Sequence, residues 1–372
     1  MSISSEKKKV FVGLSGGVDS AVSAALLKQE GADVVGVFIK VWQPDFLPCT
    51  WQEDRRDAMR VAATLGIPFL TFDFEEEYKR DVVDYMIAEY KAGKTPNPDV
   101  MCNRSIKFGA FLKKAIAMGA DFVATGHYAR VGGNQSGIGS RENSNKKTLN
   151  PSSYTLMAAR DAEKDQTYFL WTLTQEQLSR ILFPIGHLEK PEVRTLAAKF
   201  GLPTAAKKDS QGLCFLGKLD MREFLRHFIP QEKGKVLAVT GEEIGVHEGA
   251  AYYTIGERRG FSVSAQGTHD TPRYIVKRDV EKNTLTVSAD PKHESARGSV
   301  ELVSANWIRG NPDPSRTYGA RARYRQPLLP CTVSKQGERW QVHFKEPQAG
   351  IADGQSLVLY NRGECCGGGV IA

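Results

Sequence analysis

Three stretches carry residue types able to do chemistry. The first is Ser15-Gly16-Gly17-Val18-Asp19-Ser20, set between the apolar run Val10-Phe11-Val12-Gly13-Leu14 and Ala21-Val22-Ser23-Ala24-Ala25-Leu26-Leu27. The spacing reads as strand, glycine turn and a helix ending at Gly31. Paired glycines let the backbone come close to a ligand, and free N–H groups at a helix start bind phosphate. No lysine follows the glycines, so neither G-x-x-x-x-G-K-[ST] nor G-x-G-x-x-G is present. A tight turn of small residues gives part of this pattern; all six residues at one strand–helix junction favour the phosphate reading. The second stretch is Thr95-Pro96-Asn97-Pro98-Asp99-Val100-Met101-Cys102-Asn103. Its prolines make a stiff lead into a helix containing Ile106. Cys102 is then expected near a helix N-terminus, where the dipole favours a thiolate, with Asn97 and Asp99 close enough to handle a polar group or a proton. An incidental cysteine in a capped loop fits the same residues. The third is residues 207–217, where Cys214 follows a basic, polar run. Leu-Cys-Phe also describes a buried structural cysteine, whereas the flanking Gly212 and Gly217 argue for a mobile loop.

Strands alternate with helices through the first half of the chain. Val34-Val35-Gly36-Val37-Phe38-Ile39 is a continuous apolar run, as in a parallel strand buried on both faces. Ala58, Val61, Ala62 and Leu65 lie at helical spacing, and residues 68–72 form the next strand. Helices are expected over 78–90 and 106–118, followed by strand Phe122-Val123-Ala124-Thr125. This alternation predicts an α/β fold, a doubly wound parallel sheet with ligands at the carboxyl ends of its strands. The glycine loop, the loop before Cys102 and Gly126-His127-Tyr128 then surround one crevice. Residues 132–153, rich in Asn, Ser, Gly and Lys, read as a mobile tip between strands 128–131 and 154–157. Helical patterns return over 176–182 and 191–200. Beyond about residue 220 short strands and turns take over, with a hairpin over 236–245, and from about 295 evenly spaced strands suggest a small barrel. The expected domains are 1–220, 221–294 and 295–372.

At 372 residues, 41% apolar and 25% charged, the chain has the composition of a globular protein of two or three domains. A net charge of +7 suits an anionic partner such as nucleic acid but also ordinary solubility. The N-terminus lacks the apolar segment of a signal peptide and no stretch is long enough to span a membrane, so no membrane partner and a cytoplasmic location are expected. Six cysteines without a C-x-x-C pair argue against a disulfide framework and a structural zinc site.

Several motifs occur in one order: the glycine loop, Thr-Pro-Asn-Pro-Asp-x-x-Cys-Asn, Ala124-Thr125-Gly126-His127-Tyr128, Lys164-Asp165-Gln166 and Asp209-Ser210-Gln211-Gly212-Leu213-Cys214-Phe215. They continue through residues 253–260, Arg323-Tyr324-Arg325-Gln326 and Gly354-Gln355-Ser356. The glycine loop resembles that of the ATP pyrophosphatase superfamily. Together the motifs, which cover nearly the whole chain, resemble the tRNA-specific 2-thiouridylase family. The resemblance implies an ATP pyrophosphatase domain of the adenine nucleotide alpha hydrolase kind, a small central β-rich tRNA-binding domain and a C-terminal β-barrel.

It also implies roles. Gly13, Leu14, Ser15, Gly16, Gly17, Val18, Asp19 and Ser20 would hold ATP, with Ile39 against the adenine and Gly126 also at the nucleotide. Asn97, Pro98 and Asp99 would meet the target uracil, and Asp99 could act as an acid or base. Cys102 matches a nucleophile and Cys214 a persulfide carrier. Lys164, Asp165, Gln166, Arg323 and Tyr324 would contact tRNA, with His127 and Gln355 near the tRNA site. The implied reaction adenylates the C2 oxygen of the wobble uridine, expels pyrophosphate and transfers sulfur, giving 2-thiouridine, AMP and a Cys102–Cys214 disulfide. Mg²⁺ is expected beside Asp19, and a sulfur-donor protein, either a persulfide relay or a cysteine desulfurase, is the expected partner besides tRNA. Two departures stand out: the 132–153 insert is long, and Glu257 stands where the family pattern suggests glutamine.

Three alternatives remain at this level. One is another adenylating ligase or amidotransferase of the superfamily; the second is a non-catalytic tRNA-binding protein. The third is an iron–sulfur cluster held by cysteines such as Cys102 and Cys214. Arg321, Arg323 and Arg325 alternate, so on one strand they would share a face suited to phosphates.

Overall fold

The structure is a computed structural model that describes residues 7–47, 51–133, 153–209, 212–217, 219–264 and 272–372. Cys49, Ser210, Gln211 and nearly all of the 132–153 insert lie outside the described residues. The first sheet contains β1 (Lys9–Gly13), β2 (Asp33–Lys40), β3 (Phe69–Asp73), β4 (Phe122–Ala124) and a later short strand, Ile181–Leu182, in the order β3-β2-β1-β4 and then Ile181–Leu182, all parallel. Helix α1 (Val18–Gln29) follows β1 and α2 (Trp51–Leu65) follows β2.

Alternation along the strands explains the two layers. Phe11, Val35, Val37, Ile39, Phe72 and Val123 enter one core with the helical segments around residues 78–90 and 100–115. Val10, Val12, Val34, Phe38 and Ala124 enter another with α1, α2 and a later helix, α3 (Lys190–Lys199). Successive strand residues point to opposite faces, so a strand apolar at nearly every position is covered on both.

β5 (Ala129–Gly132) and β6 (Thr155–Ala158) form an antiparallel pair and precede β7, the Ile181–Leu182 strand. The helical pattern over 176–182 is only partly realised. Thr174 and Gln177 form a reciprocal cap that starts one turn, Gln175–Leu178, and the chain then turns into β7. Pairing of Ile181 and Leu182 with Val123 and Ala124 overrides the local helical spacing.

The central sheet contains β8 (Gly234–Ala238), β9 (Glu243–His247), β10 (Ser262–Val263), β11 (Tyr274–Asp279) and β12 (Thr284–Ser288), ordered β10-β9-β8-β12-β11. The expected hairpin is β8–β9. The last region is a closed six-stranded barrel of β13 (Arg297–Trp307), β14 (Tyr318–Arg321), β15 (Leu329–Gln336), β16 (Arg339–Gln348), β17 (Ser356–Asn361) and β18 (Glu364–Ile371), sealed by β13–β18 pairing. Its interior holds Val300, Leu302, Val333, Val342, Leu357 and Leu359.

The regions interlock. The β5–β6 pair, early in the chain, extends the barrel through Leu156 opposite Cys365 and Met157 opposite Glu364. Tyr168 donates its hydroxyl to Ala322 O and Ser356 O, and Trp171 donates its indole N–H to Ser356 Oγ. The Arg278 guanidinium donates to Tyr253 O and Gly93 O, joining the central region to the first.

Candidate active site

The glycine loop lies at the carboxyl end of β1, beside β4, where the strand order reverses. Gly17 caps α1 with extended backbone and no side-chain partner, so the N–H groups of the first turn have no capping side chain. Ser15 N–H donates to Ser20 Oγ at 3.2 Å, and Ser20 Oγ donates to Gly17 O at 3.2 Å, which folds the loop on itself. Gly16 has φ +73°, and a Cβ there would come within 2.5 Å of Asp54 O in α2. A Cβ on Gly126 would lie 2.6 Å from Ser20 N, so Gly126 abuts the start of α1. Ile39 is buried near the end of β2, opposite Phe72.

The lysine missing from the loop comes from 171 residues away. Lys190, first residue of α3, donates to both Asp19 oxygens at 2.8 and 2.9 Å, and Tyr128 donates its hydroxyl to Asp19 at 2.9 Å. Burial and the Asp19 charge push the Tyr128 phenol far up. Lys190 also pairs with Asp209, which receives Lys164 and Arg194 as well. Burial alone would raise the Asp209 carboxyl, but Lys164 and Lys190 outweigh it and bring it down to about 2.

The second centre joins the two cysteine stretches. Asn97 Oδ1 accepts from Val100 N–H and caps the single turn Pro98–Met101. Thr95 N–H donates to Asp353 O and Gln355 Nε2 donates to Thr95 O, so the barrel holds this lead-in. Cys102 begins a π-helical segment, Cys102–Phe111. On the other side, Leu213 and Gly217 exchange backbone hydrogen bonds at 2.9 Å and close a small loop with Phe215 at φ 66°. Cys214 sits on that loop. Its N–H donates to Asp99 Oδ1 at 2.9 Å and its carbonyl accepts from Tyr78 Oη at 2.7 Å. The Cys102 and Cys214 sulfurs, 112 residues apart in sequence, lie 3.0 Å apart.

The two thiols differ sharply. Burial holds the Cys102 thiol well above its ordinary value, and the Cys214 sulfur adds to the effect. Cys214 is shifted down because Cys102 donates to it and Lys107 lies beside it, against the cost of burial. The helix-start expectation of a thiolate at Cys102 is therefore corrected: full burial outweighs the dipole, and of the two sulfurs it is Cys214 whose thiolate is favoured. Asp99 is raised by burial.

His127 connects the two centres. It follows Gly126, its Nδ1 lies 2.8 Å from Thr125 Oγ1, and its Nε2 lies 3.5 Å from Lys107 Nζ. Burial, then Lys107, pushes its pKa well down, so the ring is neutral. An ammonium only donates, so Nε2 accepts and Nδ1 carries the proton toward Thr125. Sequence reading missed both Lys107 and Lys190. Lys107, five residues after Cys102, carries its signal only in a π register; Lys190 carries none beyond its place at a helix start.

The remaining residues lie apart from the thiols. Asp165 is buried and accepts from Ala159 N–H, Thr167 and Arg321. Gln166 exchanges hydrogen bonds with the Tyr128 backbone. Lys164 joins the Asp209 cluster. Arg323 donates to Ile255 O at 2.9 Å and Gly350 O at 2.7 Å, and Tyr324 packs on Phe169 with ring centres 4.6 Å apart. The arginine row needs correction: β14 ends at Arg321, Gln326 Oε1 caps the Ala322 and Arg323 N–H groups, and Arg325 takes a left-handed backbone. Arg321 turns in to Asp165, so the three do not share a face. Glu257, the residue flagged for its departure, pairs with Arg222 at 2.6 Å.

No group of three or more His, Cys, Asp or Glu residues suited to a metal occurs among the described residues. No helix among them is long and apolar enough to cross a membrane.

Comparisons with known proteins agree along the whole chain. Residues 8–218 match the family described as tRNA methyl transferase HUP domain, 222–289 its PRC-barrel domain, and 297–371 the aminomethyltransferase beta-barrel domain. A tRNA-specific 2-thiouridylase of Streptococcus thermophilus is 45% identical over 98% of this chain and 95% of its own. The enzymes of that name from Streptococcus sanguinis and Streptococcus uberis are 44% and 45% identical over the same shares. Among solved structures, a U34-tRNA thiolase of Methanococcus maripaludis with its [4Fe-4S] cluster aligns at 18% identity over 60% of this chain and 67% of its own, with a TM-score of 0.34.

Proposed function

Because this chain belongs to the tRNA-specific 2-thiouridylase family, we propose that it thiolates the C2 position of the wobble uridine of tRNA at the expense of ATP. The observation that carries the chemistry is the 3.0 Å approach of Cys102 and Cys214 beside the crevice that holds the glycine loop. The uridine C2 oxygen attacks the α-phosphorus of ATP, and pyrophosphate leaves into the glycine loop, where the uncapped N–H groups of the first turn of α1 would meet it. Gly126 stands against the same turn, and Ile39 would pack on the adenine. Asp19, with phosphate oxygens, fits the one-carboxylate way in which Mg²⁺ is bound, and the ion would neutralise phosphate charge. Lys190, which holds both Asp19 oxygens and also pairs with Asp209, would then be a cation near the phosphates.

Asn97, Pro98 and Asp99 would receive the base, which must leave the anticodon stack to reach them. A persulfide on Cys214, loaded by a donor protein, attacks C2 through its terminal sulfur and AMP departs. Cys102 then gives up its thiol proton and attacks Cys214 Sγ. A Cys102–Cys214 disulfide forms, the bond between Cys214 and the transferred sulfur breaks, and that sulfur keeps its electron pair as the C2 thiocarbonyl. A dithiol reductant resets the pair. The alternative order, in which Cys102 frees sulfide before attack on C2, uses the same two sulfurs. The described residues place two thiols here, fewer than the cysteine set that usually holds an iron–sulfur cluster. Lys164, Arg323 and Tyr324 would meet tRNA, while Asp165 and Gln166 shape that surface by holding Arg321 and Tyr128; His127 and Gln355 support the site from behind.

The test is mass spectrometry of tRNA nucleosides after incubation with ATP and a sulfur donor. The native protein is expected to form 2-thiouridine. Cys102→Ser and Cys214→Ser are each expected to reduce it to background while still binding ATP and tRNA. Wild-type yield from Cys214→Ser would refute the persulfide role.

A further inference from the structure

We infer that Lys107 is the built-in counter-ion of the sulfur carrier, holding the Cys214 sulfur as an anion, and that the π-helical register of Cys102–Phe111 exists at this place to deliver it. In an α-helix a residue five positions on lies about 140° around the axis. The i→i+5 pattern of a π segment brings that residue back over the first. Lys107 therefore stands on the Cys102 side. Its Nζ is 3.5 Å from His127 Nε2 and 5.4 Å from the Phe215 ring centre, against the loop that carries Cys214, whose sulfur lies 3.0 Å from that of Cys102.

The titratable groups around Cys214 and Lys107 come from four segments. Asp99 comes from the turn Pro98–Met101, Tyr78 from the turn Glu75–Tyr78, Cys102 and Lys107 from the π segment, and His127 from the loop after β4. His127 is neutral and accepts, Tyr78 spends its proton on Cys214 O, and Asp99 brings negative charge or none. Lys107 is the one cation among these five. Burial works against its charge, but Cys214, Cys102 and Asp99 outweigh burial and raise its pKa. One ammonium and one thiolate thus compensate each other in a half-buried place, between the fully buried Cys102 and the buried His127, where either alone is costly. A sulfur carrier needs this, since the thiolate is the form that takes up sulfur from a donor and the persulfide so formed attacks as an anion through its terminal sulfur. The use of the pair in sulfur transfer rests on the thiolase reading; the pairing itself does not.

Site-resolved alkylation by iodoacetamide across pH tests it, on the full-length protein without ATP or tRNA. The Cys102→Ser background prevents disulfide formation. Cys214 is expected to alkylate with a midpoint below the ordinary thiol value of about 8.5. Lys107→Met should raise that midpoint by about one unit or more, roughly tenfold less thiolate at neutral pH, and Lys107→Arg should restore most of it. Equal midpoints in the three proteins, with unchanged circular dichroism, would overturn the proposal. Should Lys107→Met not fold, the reverse arm decides. Cys214→Ser removes the anion, so the Lys107 amine should lose protons more easily and be acylated faster; an unchanged rate would overturn the pairing. Native protein with the lysine-dependent profile but no 2-thiouridine would sink the thiolase reading and leave the counter-ion standing.

Discussion

The two ends of the crevice handle charge in opposite ways. At the glycine loop, Asp19, Lys190, Asp209, Lys164 and Arg194 form a chain of ion pairs between partly exposed side chains. At the thiol end, a single cation, Lys107, stands with the paired sulfurs of Cys102 and Cys214 and the buried His127. A solvated network can exchange partners cheaply, as would suit a place where phosphates arrive and leave. A lone cation walled on one side by buried groups has fewer partners to move to, and losing its anion strands a charge. The first end is built for exchange of anions and the second for keeping one.

This contrast can be broken most directly at Asp19. Asp19→Ala should reduce tRNA-dependent pyrophosphate release by roughly 100-fold, as for loss of a preorganised polar group. It should leave the pH profile of Cys214 alkylation unchanged. A variant that altered that profile would show the two ends to be one electrostatic unit.

A smaller effect belongs to Asp209. Its folded pKa of about 2 lies below the ordinary 3.8, so its stabilisation is complete above 3.8 and is lost as pH falls through about 2. Asp209→Asn should cost about 1–2 kcal/mol at neutral pH, allowing for partial exposure. The deficit should shrink as pH is lowered from about 4 toward 2. Urea unfolding at several pH values measures this; a deficit independent of pH would mean that Asp209 acts through packing.

The smallest change is expected at Arg323, whose guanidinium ties the barrel turn to Ile255 O and Gly350 O. Arg323→Ala should lower stability by about 1 kcal/mol. If Arg323 also meets a phosphate, the salt dependence of tRNA binding should flatten by about one unit of slope or less. An unaltered slope would leave the residue as a tie alone.

Where the sequence was legible, the signals were local or followed strand periodicity. The strand–glycine–helix unit at residues 10–27 and the apolar run of β2 needed only alternation and turn chemistry to be read. Cys102 and Cys214 were legible through the resemblance, although nothing in their spacing foretold a 3.0 Å contact. Lys107 was hidden because helical reasoning assumes α geometry, which places it on the wrong side of Cys102. Lys190 was hidden because only the packing of α3 on α1 brings it to Asp19. The arginine row misled because a Gln326 side chain, not a strand neighbour, takes the backbone N–H groups after Arg321. Residues 181–182 were read as helix because sheet pairing with β4 leaves no mark on local spacing.

The joining of β6 to β18 has a consequence for how the chain is made. Leu156 and Met157 find their partners at Cys365 and Glu364, about 200 residues later. At ribosomal speeds of about 5–20 residues per second, the β6 edge waits on the order of 10–40 s before its neighbour exists. Through that interval it is an open template for any other strand, including one from a second nascent copy. Release of a sticky intermediate therefore ends only with the last few residues of the barrel, and a stop shortly before residue 364 would leave that edge bare for the life of the molecule.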